Sequence, residues 1–145
     1  KSSAASDVYK RQIQQRIVSL KPQVKSAEKR LSLAVHQAAL AVSVMERYKK
    51  LADTHYVSDI EYQQKQIDVS TSQQNVEDQR QGLLQLHTAM EAAKDDLDHL
   101  IVQGESRKAE MDRQLQVIRQ QQDELAGKEN FTLTSPGEYY TVRQF

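Results

Sequence analysis

The stretch RYKKLADTHYVSDIE, residues 47–61, decides the fold of this chain because it interrupts two long amphipathic segments. Residues on both sides of it repeat an apolar pattern every seven positions, whereas residues 53–57 do not. The four residues that begin at Ser58 and end at Glu61 have the sequence of a capping box, in which the serine caps free backbone N–H groups and the glutamate reaches back. The stretch therefore predicts a tight turn followed by a new helix.

The segment before the turn has the apolar pattern of a coiled-coil helix. Two sets of residues recur every seven positions and alternate in steps of four and three, as a coiled-coil seam requires. The first set is Ile13, Leu20, Ala27, Ala34, Ala41 and Tyr48, and the second is Ile17, Val24, Leu31, Ala38, Met45 and Ala52. Further apolar residues between positions 31 and 45 make a second edge, which predicts contact with a third helix or a neighbouring subunit.

The segment after the turn carries the matching seam. The residues that recur every seven positions are Val69, Val76, Leu83, Met90, Leu97, Gly104, Met111, Ile118 and Leu125. The alternate seam position between them is supplied by Leu86, Ala93 and Leu100. This pattern predicts a helix over about 59–126, roughly 100 Å long at about 1.5 Å per residue. If the two segments fold back antiparallel, the numbers of paired residues sum to about 111. Residues 105–126 then have no partner here, and an upstream segment or another subunit must cover them.

Pro22 interrupts the first seam. Because proline inside a helix costs about 3 kcal/mol but is tolerated at the first helical position, we expect a helix over about 7–20, a break, and a second helix over about 22–52. A kink without a break is the alternative. The hairpin of residues 1–129 is then built from three helical segments around a tip at 53–58.

The tail changes character after Gly127, which is suited to a helix C-cap. Residues 130–134 alternate as a strand does, Ser135-Pro-Gly137 predicts a turn, and residues 138–142 predict a second strand. Two isolated strands are marginal in water. The fold class expected is therefore mainly α, with 130–145 as a partial β segment of a small domain.

Composition narrows the possible functions. The 145 residues contain 20 basic and 20 acidic side chains, so no excess charge attracts nucleic acid or anionic lipid. Cysteine is absent, which excludes disulfides and thiolate metal sites. The four histidines are scattered, and no nucleophile–base pair or phosphate-binding loop is present, so we expect no enzyme activity, cofactor or metal.

At the turn, Arg47, Leu51 and Ser58 have the spacing Arg-x3-Leu-x6-Ser, which resembles the tip motif of periplasmic adaptors, also called membrane fusion proteins. The whole chain is similar to the hairpin of the haemolysin D-type family, in particular the branch that serves colicin V-type peptide and bacteriocin exporters. Near the end of the chain, Thr132-Leu-Thr-Ser-Pro136 is similar to the entry into the family's second lipoyl half-motif. It differs from that motif in two ways: the glycine directly follows Pro136, and Ser135 replaces an alanine. His55 stands where many members have glycine.

The resemblance implies a function without chemistry. Arg47, Leu51 and Ser58 would contact the helical tips of a TolC-type outer-membrane channel, with Tyr48, His55 and Tyr56 as support. The partners implied are that channel, an inner-membrane ABC exporter and further copies in a ring of six. The place implied is the periplasm, with anchoring to the inner membrane by an N-terminal segment absent from this sequence.

A cytosolic coiled-coil scaffold or tethering protein is the alternative, since heptads alone fit it equally well. That alternative predicts no role for Arg47, Leu51 and Ser58 at the tip, and it predicts no β domain that residues 130–145 would complete. The unpartnered residues after position 104 favour an internal piece of a longer chain over a complete cytosolic protein.

Overall fold

The computed structural model describes the backbone of residues 2–143 and the side chains of residues 4–128. It contains two α-helices, α1 over Ser2–Asp53 and α2 over Asp59–Arg143. The chain divides into two units, Lys1–Asp98, which holds the hairpin, and His99–Phe145, which holds the rest of α2. The prediction of a mainly α hairpin with its turn between positions 53 and 59 is confirmed.

The core of the hairpin is one narrow seam. All twelve seam positions predicted for α1, from Ile13 to Ala52, are buried or half-buried. The buried residues among the described side chains are Ile13, Leu20, Ala27, Ala34, Ala52, Val69, Val76, Met90 and Ala93. Four of these nine are alanines, which let the helix backbones approach closely but bury little apolar surface each. The hairpin is thus held by many small contacts along its length.

The register of the hairpin agrees with the prediction that the residue numbers of facing positions in α1 and α2 sum to about 111. One surface groove between the helices is lined by Gln37 and Gln74, and another by Ala38 and Gln73. The expected neighbour of Met45, Ile67, is however 57% exposed. Ile67 lies on the back of α2, away from the seam.

The helix α1 does not break at Pro22, so the prediction of two segments, 7–20 and 22–52, is wrong. Ser2–Asp53 is one helix with the proline inside it. Pro22 and Val18, whose carbonyl loses its intrahelical donor, both lie on the exposed side of α1, where water can bond that carbonyl. Leu20 and Val24 meanwhile keep their places in the seam on either side of the proline. Continuous packing against α2 therefore outweighs the local cost.

The predicted end of α2 near residue 126 and the β segment over 130–145 also differ from the structure. The helix continues to Arg143, and among the described residues no glycine has a positive φ, so Gly127 does not form a left-handed C-cap. A helix satisfies its own backbone hydrogen bonds, whereas two strands without a sheet leave most of theirs open. The residues after 126 can therefore satisfy their backbone hydrogen bonds as a helix without any other strand. Residues 144 and 145 of the predicted segment lie outside the described residues.

The second unit has no core of its own among the residues whose side chains are described. Its four apolar seam residues Met111, Leu115, Ile118 and Leu125 are each between 48% and 62% exposed. The heptad pattern thus continues in α2 after residue 98, and these four residues of it are exposed.

Candidate partner-binding tip

The C-terminal end of α1 closes in a Schellman motif. The N–H of Tyr56 donates to the carbonyl of Leu51 at 2.8 Å, and the N–H of His55 donates to the carbonyl of Ala52 at 3.0 Å. His55 has a φ of 65°, in the left-handed region that glycine favours. The hydroxyl of Thr54 donates to the carbonyls of Lys50 and Leu51, both at 3.2 Å. Donors within the turn therefore reach the carbonyls of Lys50, Leu51 and Ala52.

The N-terminal end of α2 is closed by the predicted capping box. The N–H of Glu61 donates to Ser58 Oγ at 3.1 Å, and that hydroxyl lies 3.3 Å from Glu61 Oε1, to which it can donate. The carboxylate thus bonds the serine side chain instead of the backbone N–H that a full capping box uses. Val57 and Tyr62, at the predicted staple positions, are both half-buried. Both helix ends are consequently fixed, and the turn between them is short.

Tyr48 supports the tip from inside the hairpin. It is half-buried in the seam, and Lys65 Nζ lies 5.0 Å from the centre of its ring. Lys65 also pairs with Asp68 at 3.7 Å. The contact between Lys65 and the Tyr48 ring joins α2 to α1 near the turn, whereas the Lys65–Asp68 pair lies within α2, so Tyr48 contributes packing between the two helices.

Arg47 and Leu51 lie one turn apart on the outside of α1 at the tip. Arg47 is exposed and makes no hydrogen bond or ion pair with any described residue. Leu51 is 40% exposed, although neighbouring Ala52 is buried. A guanidinium with free donors beside an apolar side chain is a combination suited to a helix end, whose carbonyls need donors.

Ser58, the third residue of the motif, has a different place. Its hydroxyl is engaged by Glu61, and its carbonyl accepts the N–H of Tyr62 at 3.2 Å. The geometry accounts for a serine here as the N-cap of α2 without any partner. Ser58 lies at the tip but its polar atoms are directed to its own helix.

Two further apolar residues are exposed near the turn. Tyr56 is 81% exposed, and Ile60 is 76% exposed. The sequence had suggested Tyr56 as support but had not singled out Ile60. The available signal was its place outside the seam: Ile60 and Ile67 are seven residues apart on a helix whose seam runs through Tyr62 and Val69. An apolar pair on the back face is otherwise unexplained.

Among the side chains that the structure describes, no three histidine, aspartate or glutamate residues are grouped to hold a metal ion. No helix in the described part of the chain has a stretch long and apolar enough to cross a membrane. At the tip, Arg47 and Leu51 are exposed on α1, Tyr56 is exposed in the turn, and Ile60 is exposed on the back of α2.

Comparison of the chain with protein-family models, curated proteins and solved structures finds no match.

Proposed function

We propose that this chain is the hairpin region of a periplasmic adaptor in a tripartite secretion or efflux system. It bridges an inner-membrane exporter, of the ABC class, to a TolC-type outer-membrane channel for the export of peptides or proteins. The observation that carries the proposal is the pair Arg47 and Leu51, which stays exposed at a tip where both helices are capped by hydrogen bonds of the turn.

The mechanism is docking without chemistry. Arg47 donates to the carbonyls at the end of a channel helix, while Leu51 fits between neighbouring side chains of that helix. The closed turn lowers the entropy cost of binding, since its helix ends are fixed before the partner arrives. Ser58 serves this mechanism by holding the start of α2 in place.

The assembly proposed is a ring of protomers, six in number, with the tips pointing the same way. The exposed apolar residues of α1 between positions 31 and 45 supply lateral contact between neighbours. The protein is anchored to the inner membrane outside this chain, and residues 130–145 join a lipoyl-like domain when the remainder of that domain is present. These statements rest on the resemblance of the sequence to haemolysin D-type adaptors.

Secretion by tip variants tests the proposal. Arg47→Ala and Leu51→Asp are each expected to abolish export while leaving the helical circular dichroism unchanged, because both side chains lie outside the seam. The matched controls are Arg16→Ala, which removes another exposed arginine, and Leu84→Asp, which places a charge on another exposed leucine. Normal export by both tip variants would refute the docking role.

A coiled-coil scaffold or tether is the second candidate, and the exposed seam of Met111, Leu115, Ile118 and Leu125 favours it. A tether uses such a seam to bind a partner helix and assigns nothing to Arg47. Loss of function from Leu115→Asp together with full function of Arg47→Ala would support the tether over the adaptor.

A further inference from the structure

Ile60 is an apolar residue near the tip that the fold of the chain does not explain. It is the second residue of α2, which begins at Asp59, and its side chain is 76% exposed. The first turn of a helix favours carboxylates, which Asp59 and Glu61 supply on either side of it. A β-branched residue also has a lower helix propensity than glutamine or glutamate. Packing, the helix dipole and helix propensity therefore all fail to account for an isoleucine at this position.

The backbone that carries Ile60 is held in place before any partner binds. The Ser58 hydroxyl accepts the N–H of Glu61 at 3.1 Å, and the Ser58 carbonyl accepts the N–H of Tyr62 at 3.2 Å. Val57 and Tyr62, before and after this cap, are half-buried. The branched side chain of isoleucine has few rotamers, so its burial against a partner costs little conformational entropy. Ile60 thus has the properties of a preorganised contact residue.

Ile67 provides a comparison within the same helix. It lies seven residues after Ile60 on the same side of α2, about 10 Å farther from the tip, and is 57% exposed. Beside it, Gln64 donates to the carboxylate of Asp68 at 3.2 Å, and Lys65 pairs with the same group at 3.7 Å. A partner that meets the end of the hairpin reaches Ile60 but not Ile67.

The sequence around Ile60 carries carboxylates and no cation. Residues 56–64, one turn to either side of it, contain Asp59 and Glu61 and neither lysine nor arginine. Both carboxylates belong to exposed residues, and that of Glu61 also lies 3.3 Å from the Ser58 hydroxyl. The exposed charges at the end of α1 are, by contrast, of both signs: Glu46, Arg47, Lys49, Lys50 and Asp53. A partner surface complementary to Ile60 therefore has an apolar side chain with hydrogen-bond donors or cations around it.

We propose that Ile60 is a specificity-determining residue of the docking site, which packs on an apolar side chain of the channel that Arg47 and Leu51 contact from α1. Asp59 and Glu61 beside it select a channel whose tip carries donors around that side chain. The proposal rests on the proposed function and adds to it a contact from α2, so that docking requires residues of both helices.

Glutamine at position 60 tests this contact, because it keeps a good helix former at the site and removes the branched apolar surface. Ile60→Gln is combined with Thr54→Cys in the full-length protein, and the yield of the cross-link to a TolC-type channel is measured in intact cells. We expect the yield to fall about tenfold or more, since the burial of an isoleucine changes an equilibrium constant by at least that factor. Ile60→Leu should keep the yield, and Ile67→Gln is the matched control at an exposed isoleucine farther from the tip.

The outcomes separate this contact from the proposed function, with the protein that carries Thr54→Cys alone as the reference. A loss for Ile60→Gln with a normal yield for Ile67→Gln, at an unchanged urea midpoint of the helices, supports the contact. A reference yield for Ile60→Gln, an equal loss for Ile67→Gln, or a lowered urea midpoint that accounts for the loss would overturn it, while the cross-link of the reference keeps the proposed function. A reference that gives no cross-link rejects the proposed function itself and this contact with it.

Discussion

Replacing His55 by glycine should stabilise the hairpin. His55 holds a φ of 65°, where an L-residue with a Cβ costs about 1–2 kcal/mol and glycine costs nothing. Glycine in turn makes the unfolded chain more flexible, which offsets about 0.5–1 kcal/mol. No hydrogen bond or ion pair of the His55 side chain is present among the described residues, so none is lost. The two ranges subtract to between about 0 and 1.5 kcal/mol, and the expected gain lies in the middle of that interval, about 0.5–1 kcal/mol in the free energy of unfolding.

The assay is urea unfolding followed by circular dichroism of the helices. With a slope of about 1.5 kcal/mol per molar urea, the expected gain raises the midpoint by about 0.3–0.7 M without a change in slope. His55→Val should lower the midpoint, because a β-branched residue is strained at positive φ. Tyr56→Gly is the control, since Tyr56 has no positive φ and its glycine variant should only lose stability. A midpoint of His55→Gly at or below that of the parent chain would refute the reasoning about the turn.

Three further substitutions test the capping box, the proline and the seam by the same unfolding assay. Ser58→Ala should cost about 1 kcal/mol and Ser58→Asp little, because aspartate also caps; equal losses would contradict the capping role. Pro22→Ala should stabilise α1 by about 1–3 kcal/mol, since the helix already passes through this position, and an unchanged midpoint would indicate a break. Leu83→Asp should cost about 2–4 kcal/mol because Leu83 is half-buried in the seam, whereas Leu84→Asp, 57% exposed, should cost under about 0.5 kcal/mol; similar losses from the two would mean that the register is wrong.

The parts of the fold that the sequence predicted correctly are those set by local or periodic patterns. The heptad positions of α1 identified its buried side because a coiled-coil seam needs only regular apolar steps. The capping box located the start of α2 at Asp59 because its hydrogen bonds join residues three apart.

The parts that the structure does not confirm depend on energies that the local sequence does not contain. Pro22 predicted a break because proline is costly in a helix, but the seam on both sides of it holds α1 together. The β segment after residue 129 was predicted from its alternation, whereas strands depend on distant partners and a helix does not. Ile67 was paired with Met45 by number alone, although its position in the heptad places it on the back of α2.

The candidate site was predicted in part. The motif spacing placed Arg47 and Leu51 at the tip, where the structure also has them exposed. It did not reveal Ile60, which lies outside the motif and whose exposure follows from its place outside the seam of α2. Nor did it reveal that His55 takes the left-handed conformation which glycine would favour at the same place.

The most direct test of the adaptor function is a cross-link from the tip. A single cysteine replaces Thr54 in the full-length protein, and cross-linking to a TolC-type channel is measured in intact cells, with a cysteine at Gln81, in the middle of the hairpin, as the control. The account predicts a cross-link to the channel from position 54 and none from position 81. A folded, expressed protein that gives no channel cross-link from position 54 would contradict it.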